Sequence, residues 1–359
     1  MLFVQVISLR NMTVKHFSIE YDAVNSENTF TNGDTINGRI IVEVSKQTKI
    51  QSLVFIAQAK ARVCWREDHG NQQHIYWAEE EYYNIQEHIV RESRQDGTEV
   101  IDRGRHIFPF VFQIPDRNIP SSFNSPTGKI VHKVKAELKH SLKLMKSAKA
   151  YFLFTSKTDM NISGLMEPQQ DSKDKTIKVF GSGTISMHVR TQRMGFSQGE
   201  ALQVTVDILN HSSRSVKPRI TLYEKQSFIA QRTRTVRPNV IQKEKLASVA
   251  SSSRETVTRL ISIPADLPPS ILNSSIIKLE YRLKVHLNIK CASDLEVKVP
   301  VVVLPTLGVP RQPPPYSFEP EAYEIPNQED WSATPQQAAF QPVDSPPSYK
   351  TYTLYPHPY

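Results

Sequence analysis

The stretch FTNGDTINGRIIVEV, residues 30–44, decides the fold, because the chain contains a second copy of it. Residues 196–210 read FSQGEALQVTVDILN, so a phenylalanine, a glycine, an acidic residue and alternating apolar positions recur at an offset of 166 residues. In each copy a turn with a glycine precedes a strand that has apolar residues at every second position. The repeat predicts two related β domains in tandem.

A second pair of segments extends the duplication. FQIPDRNIPSSF at residues 112–123 aligns with ISIPADLPPSIL at residues 261–272, an offset of 149 residues. The same offset continues into KIVHKVKAEL at 129–138 and KLEYRLKVHL at 278–287. The offset falls because the first copy is longer in its middle, where we expect the charged stretch 66–103 to form an extended hairpin.

Alternation within the strands predicts which side chains form the core. In GRHIFPFVFQIP, residues 104–115, every second side chain from Phe108 to Ile114 is apolar and is expected to face inward. Pro115 should end this strand because proline cannot donate to a β ladder. The predicted core positions are Phe108, Phe110, Phe112 and Ile114.

Short alternating strands separated by Gly, Pro and Asn turns are typical of an all-β protein with immunoglobulin-like antiparallel sandwiches. We therefore predict a first sandwich over residues 1–165 and a second over 177–305. The polar segment 166–176 is expected to be the interdomain hinge, and residues 306–359 a disordered proline-rich tail.

Composition limits the classes of function. Only two cysteines occur, which excludes a disulfide framework beyond a single bridge and favours a reducing compartment. The N-terminal segment lacks the pattern of a signal peptide, and no apolar run is long enough to span a bilayer. The net charge is +8, but the tail has two basic and six acidic residues, which leaves 42 basic and 30 acidic residues, or +12, on the body. A basic body suits acidic or phosphorylated peptides and anionic lipids.

The tail contains 12 of the 24 prolines and two PPxY motifs. Such a composition predicts a disordered segment with a polyproline II bias. Three residues per turn let a proline pair pack into the aromatic groove of a WW domain, while the tyrosine enters a second pocket. The expected WW-binding residues are Pro313, Pro314 and Tyr316 in PPPY, and Pro346, Pro347 and Tyr349 in PPSY.

Three body motifs together with the tail resemble the arrestin superfamily, and the paired PPxY motifs make arrestin domain-containing proteins, or α-arrestins, the closer match. The body motifs are FxxG[DE] before a strand, GRHIFPFVFQIP at 104–115, and SSIIKLEYRLKV at 274–285. The resemblance implies two arrestin-like sandwiches, no catalysis, and a cytoplasmic protein that acts at the plasma membrane and endosomes.

The resemblance also implies partners. These are the cytoplasmic tails of membrane receptors or transporters and the WW domains of Nedd-type HECT ubiquitin ligases, with ubiquitination, endocytosis and trafficking of the cargo as the outcome. The alternative is a receptor-binding or vesicle-sorting scaffold that acts without a ligase.

The strand near residue 133 carries further candidate contacts. Alternation places Lys133, Lys135 and Lys139 on one face, where they could hold a phosphorylated or acidic cargo tail, or form a solvated sheet face. The stretch 140–150 could instead contact anionic membrane. We expect no cofactor, metal site or nucleic-acid partner, because the corresponding motifs are missing from the sequence, as are HExxH and GxSxG.

Overall fold

The computed structural model describes residues 13–25, 28–70, 72–90, 98–140, 145–157, 162–177, 183–290 and 292–306. Nineteen strands and no helix occur within these ranges. Those of the N-terminal half are β1 Val14–Tyr21, β2 Thr29–Phe30, β3 Thr35–Val44, β4 Thr48–His69, β5 Gln72–Val90, β6 Glu99–Ile101, β7 Gly104–Gln113, β8 Phe123–Asn124, β9 Gly128–His140 and β10 Lys146–Phe154. Those of the C-terminal half are β11 Gln169–Ile177, β12 Gly183–Thr191, β13 Gly195–Ser197, β14 Ala201–Ser212, β15 Val216–Ala230, β16 Thr233–Lys245, β17 Ser253–Ser262, β18 Ile277–Ile289 and β19 Leu295–Leu304.

Each half is built from two sheets. In the N-terminal half a sheet with strand order β1-β3-β7 accompanies one with order β2-β10-β9-β4-β5, to which β6 and β8 are added. In the C-terminal half the orders are β11-β12-β14-β17 and β13-β19-β18-β15-β16. All pairings are antiparallel except the short parallel pairs of β2 with β10 and of β13 with β19. The predicted all-β class with two tandem sandwich domains is confirmed.

The duplicated turns adopt the same geometry. Gly33 and Gly199 both have a φ of 80°, a left-handed conformation that favours glycine. The carboxylate of Asp34 accepts the backbone N–H of Thr31 at 2.8 Å, as that of Glu200 accepts the N–H of Ser197. The acidic residue is therefore needed at this position because it closes the turn that precedes β3 and β14.

The inward positions predicted for β7 are confirmed. Phe110 and Phe112 are buried, and Ile114 is fully inaccessible, while Phe108 is partly buried against the same core. The Phe110 ring stacks on Phe55 from the opposite sheet, with centroids 4.4 Å apart. This contact joins the two sheets of the N-terminal sandwich.

The long hairpin differs from the prediction in its limits. It consists of β4 and β5, so its first strand begins at Thr48, well before the charged stretch 66–103 that was expected to form it. Beyond residue 60 its inward side chains Ala61, Val63 and Trp65 leave the N-terminal core and pack in the core of the C-terminal half. The hairpin thereby connects the two sandwiches.

The segment 166–176 is mostly a strand. β11 begins at Gln169 and pairs along its full length with β12, so these residues form an edge of the C-terminal sheet where a hinge was expected. Backbone pairing explains this, because an exposed edge strand needs few apolar side chains. Within the described residues, no helix is long and apolar enough to cross a membrane.

Candidate functional site

The lysines singled out from the sequence lie on the outer surface of β9. Its inward residues Ile130, Val134, Ala136 and Leu138 are inaccessible to solvent, so the intervening side chains must face outward. Lys133 and Lys135 are neighbours on this surface, about 7 Å apart along the strand, and Lys139 lies exposed near its end, about 20 Å from Lys133.

Neighbouring strands add more cations to the same surface. In the strand register Lys149 of β10 lies opposite Lys135, while Lys60 and Arg62 of β4 lie opposite Val131 and Lys129. We call this surface the basic face and define it by the outward side chains of Lys60, Arg62, Lys133, Lys135, Lys139 and Lys149. Sequence reasoning missed three of the six, although the alternating lysine and arginine in QAKARV, residues 58–63, was a usable signal.

Carboxylates neutralise part of the positive charge of the basic face. Glu79 of β5 accepts hydrogen bonds from Lys60 at 2.6 Å and from Arg62 at 2.5 Å. Glu81 pairs with Lys60 at 3.1 Å, and Glu137 pairs with Lys135. The hydrogen bond from Lys60 to Glu79 is the main reason why the pKa of Lys60 is raised. Burial acts to raise the pKa of Glu79, but the hydrogen bonds and charges of Lys60 and Arg62 outweigh it and lower that pKa.

Lys133 is in a different situation. Its neighbours across the strands are Tyr151 of β10 and Gln58 of β4, neither of which carries a charge. Burial, followed by repulsion from Lys149 and Lys135, lowers the pKa of Lys133 to about 8. Within the part of the chain that the structure describes, its ammonium has no carboxylate partner. The surface around Lys133 therefore has a positive electrostatic potential, which would attract an anionic group more strongly than a single solvated lysine does.

The six residues of the two PPxY motifs lie outside the described residues, which end at 306. Their interpretation as WW-binding residues stays a prediction. The role of Lys133, Lys135 and Lys139 as cargo contacts is a prediction as well, although the strand places all three on one surface.

Comparison with known proteins matches each half of the chain to one domain of the same family. The family model for Arrestin (or S-antigen), N-terminal domain, matches residues 17–161, and the model for Arrestin (or S-antigen), C-terminal domain, matches residues 181–306. Arrestin domain-containing protein 4 of Mus musculus is 28% identical over 299 residues, which cover 80% of this chain and 72% of that protein.

Two further proteins are similar to this chain over most of its length. Arrestin domain-containing protein 4 of Homo sapiens is 28% identical, with 76% of this chain and 68% of that protein covered. Thioredoxin-interacting protein of Homo sapiens is 25% identical, with 81% and 74% covered. Since both domain models match in order, over the two sandwiches described above, the chain belongs to the arrestin family and consists of an arrestin N-terminal domain, an arrestin C-terminal domain and a C-terminal tail.

Proposed function

We propose that this protein is a non-catalytic cytoplasmic adaptor that joins membrane cargo to a ubiquitin ligase. In this proposal the arrestin body binds the cytoplasmic tails of receptors or transporters, and the PPxY motifs bind WW domains of Nedd-type HECT ligases. The outcome is ubiquitination and endocytosis of the cargo at the plasma membrane and endosomes. The observation that carries the proposal is the pair of PPxY motifs that follows an arrestin body.

The spacing of the motifs supports simultaneous binding of two WW domains. Tyr316 and Tyr349 are 33 residues apart, which corresponds to an end-to-end distance of roughly 30 Å for a flexible chain. Engagement of one motif would raise the effective concentration of the other, with a gain in avidity of about 10²-fold. A ligase with tandem WW domains is therefore a better partner than one with a single domain.

The charge of the body supports an acidic cargo segment. The body has a net charge of +12, and the basic face concentrates six cations on one sheet. Lys133, Lys135 and Lys139 would contact the cargo as point charges, and the binding would weaken with salt because such contacts are screened. The absence of catalysis is part of the proposal, since the sequence lacks HExxH and GxSxG motifs.

The experiment separates the two halves of the proposal in cells. A variant with Tyr316→Ala and Tyr349→Ala should still co-precipitate membrane cargo but bring down no ligase, and the cargo should lose its ubiquitin. A variant with Lys135→Glu and Lys139→Glu should show the opposite pattern, with the ligase retained and acidic cargo lost. Ubiquitinated cargo at wild-type levels with the tyrosine variant would overturn the proposal.

A further inference from the structure

The central strand of the β1-β3-β7 sheet carries a buried apolar side chain on its outer face. Ile40 and Val42 of β3 point into the N-terminal core, so Ile41 between them points outward, away from the second sheet. Ile41 is nevertheless only 2% exposed. Within the described ranges it belongs to neither hydrophobic core. An outward side chain that solvent does not reach needs a cover on that face.

The row of residues that crosses the sheet at Ile41 indicates where this cover lies. The strand register places Ser18 of β1 on one side of Ile41 and Ile107 of β7 on the other. Ser18 is inaccessible to solvent, whereas Ile107 is 52% exposed. The covered area therefore extends over β1 and β3 and ends before β7.

The neighbouring side chains on this face have partners elsewhere. The guanidinium of Arg39 bonds to Asp22 at 3.3 Å, beyond the end of β1, so it extends away from Ile41. The imidazole of His16 bonds to the Ser18 hydroxyl at 2.8 Å, so it lies over β1. These contacts leave Ile41 itself to be covered by another segment.

The segment that precedes β1 has a suitable composition and position. Seven of the first nine residues, MLFVQVISL, are apolar. The chain enters β1 through Thr13, whose carbonyl accepts the N–H of Ser45 at 2.8 Å. Ser45 lies about 13 Å along the strand direction from Ile41. Twelve residues span up to about 40 Å, so the segment is long enough to turn back over the outer face.

The outer edge of β1 is less suited to the same segment. The ammonium of Lys146 donates to the carbonyl of Val14 at 3.3 Å, and the hydroxyl of Tyr21 donates to the carbonyl of Tyr151 at 2.8 Å. These contacts connect both ends of β1 to β10. The outer face of the sheet is therefore the better place for the apolar segment.

We propose that residues 1–9 dock on the outer face of the β1-β3-β7 sheet, with their apolar side chains over Ser18 and Ile41, and add a third layer to the N-terminal domain. The hydrophobic effect drives the docking, because both apolar surfaces are removed from water. When the segment is displaced, Ile41 and Ile107 form one exposed apolar row. The docking does not depend on the adaptor function proposed above.

Thiol reactivity at position 41 tests the docking. In a background of Cys64→Ser and Cys291→Ser, the Ile41→Cys variant is labelled with a charged maleimide, both as the full chain and as a chain that begins at Met12. We expect labelling to be at least about tenfold faster in the shortened chain, because access no longer requires local opening. The matched control Ile107→Cys should react at the same rate in both chains.

A second variant keeps the full length of the chain. Phe3→Asp with Val6→Asp makes the segment polar and should raise the labelling rate at position 41 to that of the shortened chain. Gln5→Glu with Ser8→Asp adds the same charge at polar positions and should leave the rate unchanged. Ala136→Cys, which faces the core from β9, should stay unlabelled in every chain because the core remains intact.

Three results would overturn the docking. The first is equally slow labelling at position 41 with and without residues 1–11, which would assign the cover to the neighbouring side chains. The second is rapid labelling in the full chain, which would mean an open face. The third is protection that decreases when the full chain is diluted, which would assign the cover to a second copy of the protein.

Discussion

The hydroxyl of Ser274 donates a hydrogen bond of 2.9 Å to the carboxylate of Glu80, and this bond connects the C-terminal domain to the long hairpin of the N-terminal domain. The Tyr82 hydroxyl and the backbone N–H of Ser275 donate to the same oxygen, each at 2.9 Å. Burial acts to raise the pKa of Glu80, but these hydrogen bonds outweigh it and lower the pKa. Glu80 is therefore ionised and held by donors from both domains.

Ser274→Ala should destabilise the folded chain by about 1–3 kcal/mol, because it removes a donor from a partly buried, ionised carboxylate. The measurement is chemical denaturation of the wild type, Ser274→Ala, Glu80→Ala and the double variant. We expect the two losses to be non-additive by more than about 0.5 kcal/mol, since the residues share one interaction. Glu87→Ala, an exposed site on the same strand, is the matched control. Additive losses would contradict a direct bond between the domains.

The same bond predicts a dependence on pH. The pKa of Glu80 is lower in the folded chain than in the unfolded one, so its contribution to the free energy of unfolding is present above the ordinary pKa of a glutamate and is lost as the pH falls through the folded value. The stability difference between the wild type and Glu80→Gln should therefore shrink as the pH is lowered below about 4.5. A difference that does not change with pH would argue against an ionised Glu80.

Gly128 lies against an aromatic ring of the other domain. A Cβ atom at this position would be 2.8 Å from the ring of Phe228 and 3.0 Å from Val63. Gly128→Ala should therefore cost about 1–3 kcal/mol through overpacking. Phe228→Leu makes room at the contact. The loss of stability caused by Phe228→Leu should therefore be smaller in the Gly128→Ala variant than in the wild type. Urea denaturation of the four chains measures this, and a fully additive double variant would exclude the contact.

His132 is buried among aromatic rings. Its Nε2–H donates to the carbonyl of Pro120 at 3.1 Å, and its ring stacks on Phe154 with centroids 4.4 Å apart. Burial lowers the pKa of His132 to about 3, although the bond to Pro120 opposes this effect. Below pH 6.5 His132 is protonated in the unfolded chain but stays neutral in the folded chain. The free energy of unfolding therefore decreases as the pH falls.

From pH 7 to pH 5 this histidine should reduce the free energy of unfolding by about 2 kcal/mol. His132→Phe removes the titrating group and should reduce the loss by that amount, although it costs stability at pH 7. Tyr83→Phe keeps the buried imidazole and should retain the full loss. If the slope of stability against pH in His132→Phe equals that of the wild type, the histidine is not buried in its neutral form.

Much of the fold was predictable because its determinants are local. The glycine and acidic residue of each duplicated turn, Gly33 with Asp34 and Gly199 with Glu200, fix the geometry within four residues. Alternation in β7 and β9 then assigned inward and outward side chains correctly. The polar strand β11 was missed, because its pairing with β12 uses backbone groups that no side-chain pattern reveals.

The basic face was predictable only in part, because the pairing between its strands is not revealed by the side-chain pattern of any one segment. Alternation along β9 placed Lys133 and Lys135 together, since one strand sufficed. Arg62 and Lys149 join them through the register of β4 and β10, which depends on pairings between residues far apart in the sequence. The lowered pKa of Lys133 follows from that assembly and not from any single segment.

The adaptor account depends most on the two PPxY motifs, and the affinity of a tandem WW-domain protein for the full-length chain tests it most directly. Calorimetry on the wild type, Tyr316→Ala, Tyr349→Ala and the double variant measures each contribution. We predict that each single variant binds about 10²-fold more weakly than the wild type, that the double variant binds undetectably, and that thermal melting of the body is unchanged. Binding by the double variant with the affinity of the wild type would contradict the account.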